Sequence, residues 1–250
     1  MTRTYEDITY TAPLTPPLKT QAYVAADPGD WRLIVFHGTP ANRYLYARFL
    51  RTAPPGVEVV IPARPGFGKG HEKAYTSFDD QIDAIKPFLP TSHGGLYGDK
   101  KIITMGVSYG GELALKAAID YPDAVNGVVT VSALIEEPHD YALILEKLGA
   151  DARVEQIVPN RWRKTRDEVG ARRGQIGPLL EAAKTMSQPV EIIHGDFDGI
   201  VHRSNSLALK DILEDKAHLE IIPGGTHYLE AQYPRRLHAA VQRVIARSGA

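Results

Sequence analysis

The amino-acid sequence predicts an α/β fold, with a mostly parallel central β-sheet flanked by helices on both faces. Three observations carry this. Short, apolar, β-prone runs alternate with segments of helical pattern along most of the chain, the order that produces parallel strands joined by crossover helices. Several of these runs end in loops that combine glycine with reactive polar residues, and ligands of such sheets bind beyond the carboxyl ends of the strands. Finally, in Lys101-Ile102-Ile103-Thr104-Met105-Gly106-Val107-Ser108-Tyr109-Gly110-Gly111 an apolar run ends in Gly-x-Ser-x-Gly and a helical pattern starts at once.

In chain order, Ile8 to Thr11 and Lys19 to Ala25 read as two short strands around a proline-rich turn (Pro13, Pro16, Pro17). Trp31 to Phe36 is a strongly β-prone run, hence a buried strand, and ends in His37-Gly38-Thr39-Pro40. A helix is expected from Asn42 to Thr52, broken by Pro54-Pro55-Gly56. Val57 to Ile61 is the next strand, followed by the loop Arg64-Pro65-Gly66-Phe67-Gly68. Ser77 is a helix cap, with Asp79 and Asp80 favourably placed in the first turn of a helix reaching about Leu89. Pro90 to Lys100 reads as a loop or a short hairpin. Ile102 to Val107 is too short for a helix and suits a buried strand, and Glu112 to Ile119 is rich in helix formers. Val125 to Val131, Val190 to Ile193 and Leu219 to Ile222 are further strands, Ser204 to Leu213 a helix, and about Tyr233 to Arg247 a closing amphipathic helix.

One segment interrupts the alternation. Ala133 to Ser187 has helical patterns at Tyr141 to Gly149, Asn160 to Arg173 and Gly177 to Met186, and no convincing strand. It is expected to be an insertion over one end of the sheet, a lid, within a single domain spanning residues 1–250. The alternative is a set of helices that covers sheet surface and nothing more.

Composition narrows the function. There are 29 basic and 30 acidic residues and a formal charge of −1, which gives no reason to expect nucleic acid or a membrane surface as partner. With no cysteine, disulfides, thiolate catalysis and cysteine metal sites are excluded. The first residues lack an apolar signal core and no stretch is long enough to span a bilayer, so a cytoplasmic protein is expected. The histidines His37, His194, His202 and His227 lie in separate loops without metal-ligand spacing, and no metal or organic cofactor is expected.

Four loops that follow strands hold the candidate chemistry. At His37-Gly38-Thr39 the glycine lets backbone approach a ligand, and the Thr39 amide is a candidate donor to a developing oxyanion; His37 reads first as a histidine bonded to backbone, second as a catalytic one. Ser108 is a candidate nucleophile, needing a base to take its proton, and the Tyr109 amide at the start of a helix is a second candidate oxyanion donor. His194-Gly195-Asp196-Phe197-Asp198 supplies carboxylates, and Gly224-Gly225-Thr226-His227 supplies an imidazole. The order Ser, Asp, His is that of one of the three unrelated triad architectures.

Through these loops, each after its strand and in order, the sequence resembles the α/β-hydrolase superfamily from Trp31 to the last helix. The resemblance implies Ser108 as nucleophile, His227 as base and later acid, Asp198 as the carboxylate that orients His227, and the Thr39 and Tyr109 amides as the oxyanion hole. It favours Asp198 over Asp196, and it leaves Glu136 and Glu137 as alternatives for the acid. The loop Pro65-Gly66-Phe67-Gly68 departs from the family pattern, with Ala63 ahead of Arg64 where an aspartate is usual. A serine at the elbow implies acyl transfer to water from a small-molecule ester, lactone, thioester or amide. The alternatives are hydrolysis of a carbon–carbon bond in an acidic ring-cleavage metabolite, or a ligand receptor that keeps the triad. Arg153, Arg161, Arg163, Lys164, Arg166, Arg172 and Arg173 crowd one helical stretch around Trp162, and read either as a surface that draws in an acid or as a solvated face interspersed with Asp151, Glu155, Asp167 and Glu168. Gly38 and Trp162 are the candidate substrate contacts. Oligomeric state is not encoded legibly.

Overall fold

The computed structural model describes residues 2–40, 43–93, 95, 97–136 and 158–249. Among these, eight strands form one sheet: β1 (Glu6–Ala12), β2 (Leu18–Ala25), β3 (Trp31–Phe36), β4 (Val57–Pro62), β5 (Lys101–Val107), β6 (Val125–Val131), β7 (Val190–Gly195) and β8 (Ala217–Ile222), in the order β1-β2-β4-β3-β5-β6-β7-β8. β1 and β2 form an antiparallel hairpin and β2 pairs antiparallel with β4; all other pairs are parallel.

The patterning follows from burial. β1 alternates, with Tyr10 and Ala12 buried and Thr9 and Thr11 exposed, as befits an edge strand wet on one face. In β3 both faces are covered, so Leu33 and Val35 enter one core while Ile34 and Phe36 enter the other. Helices α1 (Ala47–Arg51), α6 (Leu229–Gln232) and α7 (Pro234–Ser248) cover the first face; α2 (Phe78–Asp83), α3 (Tyr109–Asp120), α4 (Asn160–Ala183) and α5 (Ser204–Leu213) cover the second. In α7 the buried Leu237, Ala240, Val241 and Val244 recur at i, i+3, i+4, i+7, one helix face. Each large apolar side chain so buried is worth about 1.5–3 kcal/mol.

Three expectations change. The helix expected at Asn42 to Thr52 begins as a 3-10 turn at Arg43–Tyr46 and becomes α-helical only at Ala47; residue 42 is outside the described part. The helix capped by Ser77, whose Oγ accepts the Asp79 amide at 3.2 Å, stops at Asp83; a 3-10 turn with Pro87 follows, because proline cannot supply the amide that would continue the ladder. Residues 160–173 and 177–186 do not form separate helices: α4 runs unbroken from Asn160 to Ala183, with Pro178 inside it. Gly170, Gly174 and Gly177 cost about 1 kcal/mol each in helix propensity. Burial of Val169, Ile176, Leu179 and Ala183 along one stripe overrides that cost. The expected helix at Tyr141 to Gly149 lies outside the described residues. Among the described residues no helix is long and apolar enough to cross a membrane.

Candidate active site

The elbow is built from a strand that ends one residue before a helix begins. Ser108 has φ 56, a left-handed value that is costly for any residue but glycine. Its backbone is held there by Ser108 N to Val131 O at 2.9 Å and Gly111 N to Ser108 O at 2.8 Å. Close packing leaves no alternative to glycine on either side: a Cβ on Gly106 would lie 1.8 Å from Gly110 O, and one on Gly110 would lie 2.2 Å from Phe36 O. A serine at a helix N-cap ordinarily accepts a first-turn amide. Here the backbone turns it away and no cap bond forms. The hydroxyl is thus left uncommitted to the helix, beside first-turn amides that have no intrahelical acceptor.

The parallel register of β3 with β5, which pairs Phe36 with Gly106, carries the His37–Thr39 loop to the same end of the sheet. A Cβ on Gly38 would sit 3.0 Å from Ser108 Cβ and 3.1 Å from Val107 O. His37 is fully buried; Nδ1 donates to Gly38 O at 2.9 Å and Nε2 accepts the Arg64 amide at 3.2 Å. Burial, with the Arg64 charge, pushes its pKa down to about 3, so the ring is neutral. Both nitrogens are committed to backbone, and the residue acts as a brace. Arg64 completes it, Nε donating to His37 O at 2.9 Å and Nη2 to Gly38 O at 3.3 Å. In a trans peptide the carbonyl and the following N–H point in opposite directions. With Gly38 O drawn toward Arg64, the Thr39 N–H is aimed away from Arg64.

Asp198 and His227 follow β7 and β8, which pair in parallel through Gly195 and Ile222. Asp198 Oδ1 accepts the Ile200 and Val201 amides at 2.9 Å each, and Oδ2 accepts His227 Nδ1 at 2.8 Å. Burial acts to raise the Asp198 pKa; the His227 hydrogen bond and charge and the two amides outweigh it and bring it down to about 2. With Nδ1–H committed to a carboxylate, His227 Nε2 is the acceptor nitrogen. Behind them, His194 donates from Nε2 to Val201 O at 2.9 Å and shares a 2.7 Å bond with Ser206 Oγ; burial lowers its pKa. Asp196 takes the Gly224 amide at 2.6 Å, stitching the two loops together. Glu136 is exposed and accepts from Ser204 Oγ, and Glu137 lies outside the described residues. Among the described residues no group of three or more histidines and acids could hold a metal ion.

These loops open on a cavity of about 440 Å³. Of the residues singled out from sequence, Gly38, Thr39, Ser108, Tyr109, Trp162 and His227 all line it; Asp198 reaches it through His227. The Tyr109 ring is buried against Phe78, with the Arg64 guanidinium over it. The basic stretch of α4 divides: Arg161 and Arg173 are exposed, whereas two of its cations are buried. Lys164 is buried and donates to Gly66 O at 2.8 Å, and Arg172 is buried against Glu112 at 2.5 Å and donates to Leu134 O at 2.9 Å. Arg166 bonds Asp167, Arg161 lines the cavity, and Arg153 is outside the described residues.

The burial of three charged residues around the site was not visible in the sequence. Glu168, read as solvated, is fully buried and grips Arg64 through both carboxylate oxygens, at 2.7 and 3.2 Å. Arg64 is equally buried. Glu230 lines the cavity and is buried. Burial pushes the Glu168 carboxyl up against the opposing pull of Arg64, so the pair depends on both partners. The Glu168→Ala variant is expected to lose about 3–5 kcal/mol of stability by leaving Arg64 buried without its counter-charge. Urea denaturation reads this directly; a loss below about 1 kcal/mol would contradict it.

A family model described as alpha/beta hydrolase fold matches residues 32–152. Among curated relatives, a proline iminopeptidase of Thermoplasma volcanium is 28% identical over 113 residues, which is 43% of this chain and 36% of that protein. A pimeloyl-[acyl-carrier protein] methyl ester esterase of Yersinia pseudotuberculosis is 25% identical over 105 residues, 42% of this chain and 37% of that protein. The match therefore spans little more than a third of either relative's length. Among solved structures, a thermophilic esterase from Thermogutta terrifontis superposes with a TM-score of 0.73 at 17% identity, covering 98% of this chain and all of that one (100%).

Proposed function

We propose that this chain, a member of the α/β-hydrolase superfamily, is a serine hydrolase that cleaves a carboxylic ester or related acyl compound through an acyl-Ser108 intermediate. One observation carries the reading: His227 is held by Asp198 at 2.8 Å and faces the same cavity as the strained, uncapped Ser108. In the first half-reaction His227 Nε2 takes the Ser108 proton as Oγ attacks the substrate carbonyl. Asp198 fixes the tautomer and stabilises the imidazolium. The negative charge on the former carbonyl oxygen is received by the Thr39 and Tyr109 amides, each worth about 3–4 kcal/mol. His227 returns the proton to the leaving group, then activates the water that releases the acyl group. Gly38 keeps side chains out of the path, and Trp162, at the start of α4, walls the cavity. Arg161, Trp162 and Val169 of α4 cover this site from one side. Two curated relatives named for ester and peptide chemistry support acyl transfer as the reaction class.

Labelling by a fluorophosphonate and turnover of short-chain aryl esters test the reading. A wild-type protein that neither labels nor turns over would sink it. A second variant probes the approach of the loop to the elbow. In Gly38→Ala the new methyl presses on Ser108 Cβ and the Val107 carbonyl, and kcat is expected to fall about 10–100-fold while the melting temperature changes little. An unchanged kcat would show that the spacing is not critical.

A further inference from the structure

Four glutamates are buried among the described residues: Glu112, Glu168, Glu191 and Glu230. Three have guanidinium partners. Glu112 meets Arg172 at 2.5 Å, Glu168 meets Arg64 at 2.7 Å, and Glu191 meets Arg243 at 2.7 Å and Arg247 at 3.3 Å. Glu230 has no ion-pair partner among the described residues. It is 2% exposed, it lines the cavity three residues beyond His227, and its Oε2 has no hydrogen-bond partner. A buried carboxyl in this state is a cost that folding alone does not offset. The backbone on either side of it on α6 is held by hydrogen bonds: Tyr233 N donates to Leu229 O at 2.7 Å, and Arg48 donates to the neighbouring Ala231 O at 2.8 Å. The neighbouring wall is largely apolar, formed in part by Leu45, Val107, Leu134, Val169 and Val201. Among the described residues, the buried glutamate without an ion-pair partner therefore lies in the wall of the cavity where substrate would lie, and the step assigned to Ser108, His227 and Asp198 does not use it.

We propose that Glu230 is a specificity residue that accepts a hydrogen bond from an N–H or O–H group on an otherwise apolar substrate, an ammonium or a hydroxyl. The inference rests on the serine-hydrolase reading and names the substrate feature that this site selects. Burial raises the Glu230 pKa to about 7, against its own backbone amide and the His227 charge, as expected of a carboxyl that lacks its cation. An ammonium would supply the counter-charge that the other three buried glutamates have. A hydroxyl would satisfy the oxygen without it. An aliphatic group in the same position would leave the oxygen dry and unpaired, which is how polar sites reject apolar isosteres.

The test uses phenyl esters of benzoic acid carrying methyl, hydroxymethyl or aminomethyl at the 3- or 4-position, with the whole chain as enzyme. Wild type is expected to favour a hydroxymethyl or aminomethyl ester over its methyl isostere by about tenfold or more in kcat/KM. Glu230→Leu is expected to reverse that preference while labelling by a fluorophosphonate continues. Glu230→Gln should keep the hydroxymethyl preference and lose the aminomethyl one. A merely structural Glu230 would alter stability and leave the ratios unmoved, and unmoved ratios in Glu230→Leu would overturn the proposal. Should no ester be turned over, the reading of Ser108 fails by itself. Glu230 is then read by melting temperature with benzylamine and benzyl alcohol: a rise in wild type that Glu230→Leu abolishes supports the assignment, and equal shifts in both proteins overturn it.

Discussion

Ser108→Ala is expected to lower kcat for short-chain aryl esters by about a millionfold and to abolish labelling by a fluorophosphonate, with KM nearly unchanged. The size follows from how the site divides the work. Removing the hydroxyl removes the covalent route, since His227 and Asp198 then have no nucleophile to activate. The amides of Thr39 and Tyr109 remain and still stabilise a tetrahedral oxyanion, so a residual rate above the uncatalysed reaction should persist. The substitution deletes one oxygen at a buried position whose hydroxyl caps nothing, so the melting temperature should hold or rise. Left-handed φ at position 108 is as awkward for alanine as for serine, so the backbone strain is common to both. Full turnover by the variant would mean that the elbow serine is not the nucleophile.

The parts of this molecule that could be read from sequence are those governed by a local rule. β3, β5 and β6 are covered on both faces, so they appear as largely apolar, β-branched runs bounded by turns. Ser108, Asp198 and His227 could be singled out because each follows such a run and the sheet's parallel pairing delivers strand ends to one side. What stayed hidden depends on pairing across the chain. Arg64 and Glu168 are 104 residues apart, and neither has a local sign of its partner. A hint did exist in α4: Thr165, Glu168, Val169, Arg172 and Ile176 fall at helical spacing on one stripe, so the polar members share the face of the apolar ones. A charge on a buried stripe must find a partner, which is the signal that a count of interspersed acids and bases conceals. The gap between the helical patterns of Asn160 to Arg173 and Gly177 to Met186 closes in the structure, because glycine's poor helix propensity yields when Ile176 and Leu179 are needed in the core. Glu230 had no sign at all, because what sets it apart is its burial without an ion-pair partner among the described residues.

Asp198→Asn separates orientation from charge. The asparagine Oδ1 can still accept the Ile200 and Val201 amides that Asp198 accepts at 2.9 Å, so the loop should keep its shape. The other end then presents an NH2 donor to His227 Nδ1, which must accept; the ring proton moves to Nε2, and Nε2 cannot take the Ser108 proton. A fall in kcat of about 10⁴-fold is expected from this tautomer reversal alone. The same residue makes a prediction about acid stability. Its pKa is depressed from 3.8 to about 2, so the unfolded chain binds this proton more readily than the folded one. The resulting stabilisation, about 2 kcal/mol, is fully present above about pH 4 and is lost as pH falls through about 2. Asparagine has no such titration. Urea denaturation at descending pH should therefore show the wild type losing its advantage over Asp198→Asn across that window, while ester turnover at neutral pH reports the tautomer. A variant that kept full turnover would place the orienting carboxylate elsewhere, and a stability difference that stayed constant into acid would remove the ionised Asp198 from the account of the fold.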